Sequence, residues 1–328
     1  MKIKLPIILI IFLCLNLFSI RSLFATKIIS FGGYYAPQNT IASITLATNN
    51  QQTDYIYLSV SLTKDDVPII VSSQHLQDFT NVEQVFPDKK REDGNYYSID
   101  FTMQDILQLT IIHNKSSTEE TNQLSLYNNI FKILTLQDSI TLIKSLNVSL
   151  SKNIGTYIFI NSPYFNQKNG KDISKIVLNI LSKNSLSTDL DNFYLSLEDY
   201  QEIIRIKDIL LFKGDIILSI PEYKNKNYLK DINPNNDYES LLISFNKENP
   251  SKYIKGIELN SDYLFIENSF KLSPTYKGFL KYNLPIFIHI KNNIALTQDF
   301  STLLKKYKNF NIITSNPSNI ISSQINKN

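Results

Sequence analysis

Residues 54–80 give the clearest alternation of apolar and polar side chains in the chain. Apolar residues occupy every second position of the first half, which is the two-residue period of a strand with unlike faces. These positions are Ile56, Leu58, Val60 and Leu62. A Lys64-Asp65-Asp66 turn leads into residues 68–71, a short apolar run that suits a buried strand. We therefore predict two strands joined by a tight turn.

Short apolar runs recur along the rest of the chain, with helical periods between them. Strands are predicted at residues 27–31, 157–160, 193–197, 215–220, 256–259, 285–290 and 311–314. Helices are predicted at residues 41–49, 102–109, 134–148, 172–181, 199–209, 279–283 and 300–308. Asn39 or Thr40 would cap the first helix, and Thr102 with Asp105 resembles a capping box at the second. The predicted faces are Ile41, Ile44, Leu46 and Thr48 on the first helix and Ile140, Ile143, Leu146 and Val148 on the third. Strands that alternate with helices in this way indicate an α/β fold. Because the strand count is seven or eight, the pattern favours a (β/α)8 TIM barrel of parallel strands with right-handed crossovers over an open sheet, although alternation alone does not show closure.

Residues 77–101 interrupt this alternation after the second predicted strand. The segment is polar and irregular, and it contains Pro87, the basic triplet Lys89-Lys90-Arg91 and Asp93-Gly94. We interpret it as a small insertion outside the barrel repeat. A run of surface charge is more often a solvated loop than a site for an anionic ligand, so the triplet carries no function in this interpretation.

Residues 1–25 have the layout of a secretory signal peptide. Lys2 and Lys4 precede an apolar run over residues 5–15, and residues 19–25 form a plausible cleavage region. We expect an exported protein, periplasmic or secreted, in which residues 26–328 form one domain. A retained N-terminal anchor is the alternative, and it would be the only membrane contact.

Removal of this segment changes what the composition implies. The only cysteine, Cys14, lies in the apolar run, so the mature chain would form no disulfide. The formal charge of +3 equals the charge of Lys2, Lys4 and Arg21, and no acidic residue lies in the segment. The mature protein is therefore close to neutral and has no basic stripe for nucleic acid.

An ordered series of short motifs resembles the glycerophosphodiester phosphodiesterase family, in particular its secreted periplasmic branch. The series extends over most of the mature chain to about residue 213. The matching residues are Tyr35-Ala36-Pro37-Gln38-Asn39-Thr40, Asp54-Tyr55, Leu62-Thr63-Lys64-Asp65, Phe86-Pro87, Asp93-Gly94-Asn95-Tyr96-Tyr97, Ile99-Asp100-Phe101-Thr102, Lys152-Asn153-Ile154-Gly155-Thr156-Tyr157, Ser162-Pro163-Tyr164-Phe165, Gly170-Lys171-Asp172-Ile173 and Arg205-Ile206-Lys207. The resemblance implies a TIM barrel with a small insertion after the second strand.

The same resemblance implies a calcium-dependent phosphodiesterase whose chemistry is missing at the positions that should hold it. The family's His-Arg-Gly falls on Ser30-Phe31-Gly32, the Glu of its Pro-Glu-Asn-Thr on Gln38, its Glu-x-Asp metal pair on Tyr57 and Ser59, its His-Asp pair on Ser72 and Ser73, and its later metal Glu and Lys on Phe159 and Asn161. Calcium requires several hard oxygen ligands with compensating negative charge, and acid–base catalysis requires a group that titrates near working pH. We therefore expect no metal, no cofactor and no catalytic residue of the family type.

The remaining histidines and acidic residues give weaker candidates. His75 follows the family's second histidine position by three residues and is expected to be a loop or packing residue, and His113 has no ligand partner nearby in sequence. His289 alternates with Ile288 and Ile290, so it could point into the barrel mouth, although a satisfied core histidine is the favoured interpretation. Glu258 and Asp262 are acidic groups near a strand exit that form at best a weak metal site.

The leading hypothesis is an exported, catalytically inactive member of this fold. Its barrel mouth would bind a neutral polar or glycerol-like ligand through Ser30, Asn39, Tyr57, Ser59, Ser72, Asn161 and His289. One alternative is an active phosphodiesterase that uses other residues to release glycerol 3-phosphate. Another is a structural or interaction protein that uses the insertion or an outer helix face, with an unknown protein partner.

Overall fold

The computed structural model describes residues 26–32, 36–112, 130–184, 192–220, 238–261, 277–279, 281–290 and 310–317. Within them, eight parallel strands pair in a closed ring, so the predicted TIM barrel is confirmed. The barrel strands are β1 (Ile28–Ser30), β2 (Tyr55–Leu62), β4 (Gly155–Ile160), β5 (Phe193–Leu197), β6 (Asp215–Ser219), β7 (Gly256–Asn260), β8 (Ile286–His289) and β9 (Phe310–Thr314). β9 pairs with β1, and β1 pairs with β2, which closes the ring.

Eight α-helices are described. They are α1 (Ile41–Asn49), α2 (Val82–Val85), α3 (Met103–Ile106), α4 (Leu136–Leu150), α5 (Pro163–Lys168), α6 (Ile173–Lys183), α7 (Tyr200–Asp208) and α8 (Tyr238–Lys247). Of these, α2 and α3 lie in the insertion after the second strand. Thr40 caps α1, and Thr102 forms a capping box with Asp105 at the start of α3. The sequence predicted both caps, whereas α2, α5 and α8 were not predicted. The predicted helix at residues 300–308 lies outside the described residues, as do residues 1–25.

The alternation predicted for β2 separates two layers of side chains. Ile56, Leu58 and Val60 belong to the large apolar cluster that the barrel shares with its helices. Tyr55 and Tyr57 face the other way and belong to a smaller, aromatic-rich cluster. The same division holds around the ring, because side chains on successive strand positions point to opposite faces of the sheet. The barrel is therefore packed from the outside by aliphatic residues and filled largely by aromatic rings.

The second predicted strand is not a barrel strand. β3 (Pro68–Ile70) runs antiparallel to the end of β2, with Val60 opposite Ile70 and Leu62 opposite Pro68. The three-residue turn at Lys64-Asp65-Asp66 is too short for the crossover that parallel strands need, so the pair can only form a hairpin. Ser72 and Ser73 consequently follow the outer arm of a hairpin and do not follow a parallel strand.

The insertion after this hairpin has a small core of its own. Ile69 and Val71 join Leu76, Phe101 and Ile106 in an apolar cluster that is separate from the main core. The predicted insertion therefore carries enough apolar side chains to pack as a unit beside the barrel.

Part of the basic triplet in the insertion is paired internally. Lys89 bonds to Asp105 at 2.9 Å, and Arg91 contacts both carboxylate oxygens of Asp100 at 2.7 and 2.8 Å. Arg91 also stacks over the ring of Tyr97. These contacts lie within the insertion and leave the triplet a poor anion site.

Three details of the predicted helices differ from the structure. Residues 281–283 form a turn, whereas a helix was predicted over residues 279–283. Ile140 and Ile143 on α4 are buried as predicted, whereas Val148 on the same predicted face is 81% exposed, so that assignment was wrong. On α1 the buried face contains Ile44 and Ala47, whereas Ile41 is more than half exposed. Among the described residues, no helix is both long enough and apolar enough to span a bilayer.

Candidate active site

One buried carboxylate collects polar side chains inside the barrel. Glu258 lies on β7 and is 2% exposed. Its Oε2 accepts hydrogen bonds from the hydroxyl groups of Tyr157 at 2.6 Å and Ser196 at 2.7 Å. Its Oε1 lies 2.6 Å from Nε2 of His289 and accepts a longer bond, of 3.4 Å, from the Tyr57 hydroxyl. Side chains from β2, β4, β5, β7 and β8 thus meet at one carboxylate.

The alternation of the strands brings these residues together. On β7, Ile257 and Leu259 face the helices, which leaves Glu258 facing inward. On β8, Ile286 and Ile288 face outward in the same way, and His289 points into the barrel toward Glu258. The parallel register then sets β7 beside β8, with Asn260 opposite His289.

The contacts of Glu258 change its acidity in a definite direction. Burial by itself raises the pKa of this carboxyl, but the charge of His289 and the hydrogen bonds from His289, Tyr157 and Ser196 together lower the pKa below its usual value. Burial and the negative charge of Glu258 raise the pKa of the Tyr157 hydroxyl well above its usual value. Glu258 is therefore ionised at neutral pH, and Tyr157 is a neutral donor.

His289 lies at the edge of this polar centre. Its side chain is 29% exposed, in contrast to the buried Glu258. The ring meets Tyr57 edge-on with centroids 5.4 Å apart, and the ring of Phe31 lies 6.1 Å away. Among the described residues, Nδ1 of His289 makes no hydrogen bond. One ring nitrogen is thus held by Glu258, and the ring as a whole is partly exposed.

Aromatic rings fill the positions where the family resemblance implies metal ligands. Tyr57 stacks on Tyr157 with centroids 5.2 Å apart and lies 6.1 Å from Phe159 in a second stacked pair. Ser59 accepts a hydrogen bond of 2.6 Å from the Asn161 side chain. These positions supply ring faces and an internally bonded hydroxyl.

Calcium does not fit these residues. The ion takes about six to eight oxygen ligands, several of them from carboxylates. Tyr57, Ser59 and Phe159 provide no carboxylate. Glu258 already accepts from three hydroxyl groups and contacts His289. Within the described part of the chain, no group of three or more His, Cys, Asp or Glu side chains is arranged to hold a metal ion.

The seven predicted pocket residues lie in more than one place. Tyr57 and His289 meet at Glu258, and Ser59 and Asn161 bond to each other. Ser72 is exposed beyond β3. Asn39 is buried and donates to the backbone carbonyl of Val71 at 2.7 Å, so its amide fastens the start of α1 to the hairpin.

Ser30 faces α1 and not the barrel interior. It is fully buried and borders a cavity of about 230 Å³ between β1 and α1, together with Gly32, Ser43, Ala47 and Asn316. Its neighbours in the sequence, Ile29 and Phe31, face the interior instead. The expectation that Ser30 shares one mouth with Tyr57 and His289 is therefore not met in this structure.

Sequence reasoning gave low weight to the residues that the barrel gathers most tightly. The sequence predicts no site role for Tyr157 or Ser196 and only a weak metal site for Glu258. Their inward positions were visible in the alternation of each strand, but which strands lie across the barrel from one another depends on its closure. His75 lies on the insertion, with its ring 5.1 Å from that of Tyr97, whereas His113 and Asp262 lie outside the described residues.

Two curated relatives are similar over about half of the chain. The glycerophosphodiester phosphodiesterase of Haemophilus influenzae is 35% identical over 183 residues, covering 54% of this chain and 50% of the relative. The enzyme of the same name from Treponema pallidum is 33% identical over 188 residues, covering 56% and 52%. The chain therefore spans about half the length of the curated relatives that it matches.

Solved structures share the fold at low identity. A glycerophosphodiester phosphodiesterase from Agrobacterium tumefaciens has a TM-score of 0.53 and 14% identity, covering 90% of this chain and 99% of that one. A phosphodiesterase from Oleispira antarctica, solved with the product sn-glycerol-3-phosphate, has a TM-score of 0.55 and 14% identity, covering 92% and 97%. These likenesses bear on the fold. The family match extends over residues 31–230, and on that basis the chain belongs to the glycerophosphoryl diester phosphodiesterase family.

Proposed function

We propose that this chain is a family member that does not cleave glycerophosphodiesters by a calcium-dependent route and instead binds a small polar, glycerol-like ligand at the carboxyl end of the barrel. The observation that carries the proposal is the packing of Tyr57, Ser59 and Phe159. These residues stand at the positions that the resemblance assigns to the metal, and they form a ring stack and a Ser59–Asn161 hydrogen bond. Because these three positions carry no carboxylate, they cannot balance the charge of a calcium ion.

The nature of the remaining polar groups supports a ligand of low charge. The centre at the barrel mouth consists of hydroxyl groups, an amide and the Glu258–His289 pair, whose charges cancel when His289 is protonated. A polyol can exchange hydrogen bonds with such groups without bringing in a net charge. We also propose that the protein is exported, which rests on the signal-like residues 1–25 alone.

The test is an activity assay with the full chain. Purified protein is incubated with glycerophosphocholine, with calcium or with a chelator, and released glycerol 3-phosphate is measured by a coupled enzyme. The Haemophilus influenzae relative serves as the positive control. We expect no release above background for this chain under either condition. Release that chelation abolishes would overturn the proposal.

Binding is measured separately by isothermal titration with glycerol and with glycerophosphodiesters. We expect heat from at least one of them, and the heat should be lost in Asn161→Ala, which removes the partner of Ser59 at the mouth. No heat from any of these compounds would remove the ligand half of the proposal. Cell fractionation, with the size of the cell-associated and exported forms compared, tests export.

A second candidate function is hydrolysis without metal, and Glu258–His289 is the observation that favours it. A histidine held by a carboxylate is a common acid–base arrangement. In the assay above this candidate predicts product release that persists with the chelator and is lost in His289→Gln. That pattern would replace the binding function with a catalytic one.

A further inference from the structure

The Glu258–His289 pair lies in a part of the chain to which the family match does not extend. The match ends at residue 230, whereas β7 and β8 follow it in sequence. The pair therefore stands outside the positions that the resemblance assigns to catalysis or metal binding. Yet it lies in the barrel interior, beside the ring of Tyr57. The barrel interior thus holds a charged pair that lies outside the matched part of the chain.

The hydrogen bonds around Glu258 determine which nitrogen of His289 carries a proton. A carboxylate accepts hydrogen bonds and cannot donate one, and the lowered pKa of Glu258 keeps it in that form. At 2.6 Å from Oε1, Nε2 of His289 must then be the donor. In the neutral imidazole the second nitrogen, Nδ1, consequently carries a lone pair.

The surroundings orient the ring and leave 29% of the His289 side chain exposed. Tyr57 packs edge-on against the imidazole, and the ring of Phe31 lies 6.1 Å from it. The resemblance assigns charged residues to both positions, and in this chain the aromatic rings of Tyr57 and Phe31 border the histidine instead. Tyr157 and Ser196 hold the far oxygen of Glu258 and restrict the rotation of the carboxylate. The result is an oriented base whose Nδ1 makes no hydrogen bond among the described residues.

We propose that Glu258 and His289 form a metal-independent acid–base centre, in which Nδ1 of His289 accepts a proton from a hydroxyl group or a water molecule at the barrel mouth. The O–H bond breaks, its electron pair stays on the oxygen, and the proton forms an N–H bond at Nδ1. The imidazolium that results lies beside the ionised Glu258, which remains deprotonated and acts as the positioning residue. The substrate class is a hydroxyl-bearing molecule or an ester attacked by water.

Histidine NMR on the full chain tests the orientation of the ring. The protein has three histidines, so ¹⁵N-histidine labelling gives three ring systems, and His289→Gln identifies the one of interest. We expect Nε2 to carry a slowly exchanging, low-field proton in the neutral ring and Nδ1 to carry none. The opposite tautomer, or a rapidly exchanging Nε2 proton, would overturn the proposal.

Two variants connect this signal to Glu258. Glu258→Ala should lose the low-field proton. Glu202→Ala is the matched control, because Glu202 is a carboxylate of nearly the same burial, 3% exposed, that bonds to Arg205 and Gln167 on the outside of the barrel. The control should retain the signal, and loss in both variants would contradict the assignment. The wild-type spectrum alone decides the tautomer if Glu258→Ala does not fold.

Acylation tests whether Nδ1 is available as a base. Diethyl pyrocarbonate transfers an ethoxycarbonyl group to an unprotonated ring nitrogen, forming an N–C bond while the C–O bond to the leaving ethyl carbonate breaks. Mass spectrometry of the folded protein should show one such group on His289. An unmodified His289 would overturn the proposal. Neither measurement uses calcium or a glycerophosphodiester, so its outcome is independent of the function proposed above.

Discussion

The two sides of the barrel interior have opposite character. On β2 and β4, Tyr57, Tyr157 and Phe159 form a stack of rings. On β7 and β8, Glu258 and His289 form a charged pair. The resemblance to the phosphodiesterase family assigns charge to the first side, and this chain has it on the second. One set of strands thus has packed rings on its inward side, and the other set has charged side chains there. The outward-facing residues of both sets pack in the same main core.

The Glu258 side should be the more sensitive to a single substitution. Glu258→Ala removes the partner of His289 and the acceptor of the Tyr157 and Ser196 hydroxyl groups, and removal of one partner of a buried pair costs about 4 kcal/mol. Urea denaturation followed by circular dichroism measures the change. Glu248→Ala is the control, since Glu248 pairs with Lys252 on the surface and its loss should not be measurable. Equal stability of the two variants would contradict the comparison.

Removal of a ring from the aromatic side should cost somewhat less stability than removal of Glu258. Phe159→Ala opens a cavity beside Tyr57, and we expect a loss of about 3 kcal/mol in the free energy of unfolding. Phe159→Leu retains most of the volume and should cost less than about 1.5 kcal/mol. Thermal denaturation with and without calcium measures both. A stabilisation by calcium in either protein would show that this side still holds a metal.

The difference in the free energy of unfolding between wild type and Glu258→Gln should become smaller at acidic pH. The pKa of Glu258 is lowered in the folded protein, so its ionised form contributes stability that is fully present above the unfolded value, about 4.3. That contribution is lost as the pH falls through the folded pKa. Urea titrations at several pH values should give a constant difference above about pH 5 and a smaller one below about pH 4. A difference that grows in acid would mean that the folded pKa is raised.

Loss of the hydroxyl group should cost different amounts of stability at the two tyrosines that donate to Glu258. Tyr157 donates to Glu258 at 2.6 Å, and Tyr157→Phe should cost about 2 kcal/mol because the bond goes to a charged acceptor. Tyr57 donates at 3.4 Å, and Tyr57→Phe should cost about 0.5 kcal/mol, since a bond of that length is weak. Chemical denaturation of the two single variants and the double variant measures both terms. The reverse order would show that Tyr57 is the main donor to the carboxylate.

Sequence patterns predicted the fold because the relevant information is local. The period of β2, the cap at Thr40 and the capping box at Thr102 each depend on residues within a few positions of one another. The insertion was predicted from the polar, irregular residues 77–101, and the resemblance agrees with it. Val148 on α4 was wrong because a helical face predicted from period alone does not show where the neighbouring element ends.

What the sequence by itself determined is therefore the order of the barrel strands and the alternation of inward and outward residues along a strand such as β2. The placement of Tyr57, Ser59 and Phe159 at charged family positions follows from the resemblance and stays a prediction. Only the tertiary structure decided which inward residues meet. Glu258 and Tyr157 are 101 positions apart in the chain, and their contact exists because the ring of strands closes across the interior. Closure is a long-range property of strand pairing and tilt, and no short stretch of sequence encodes it.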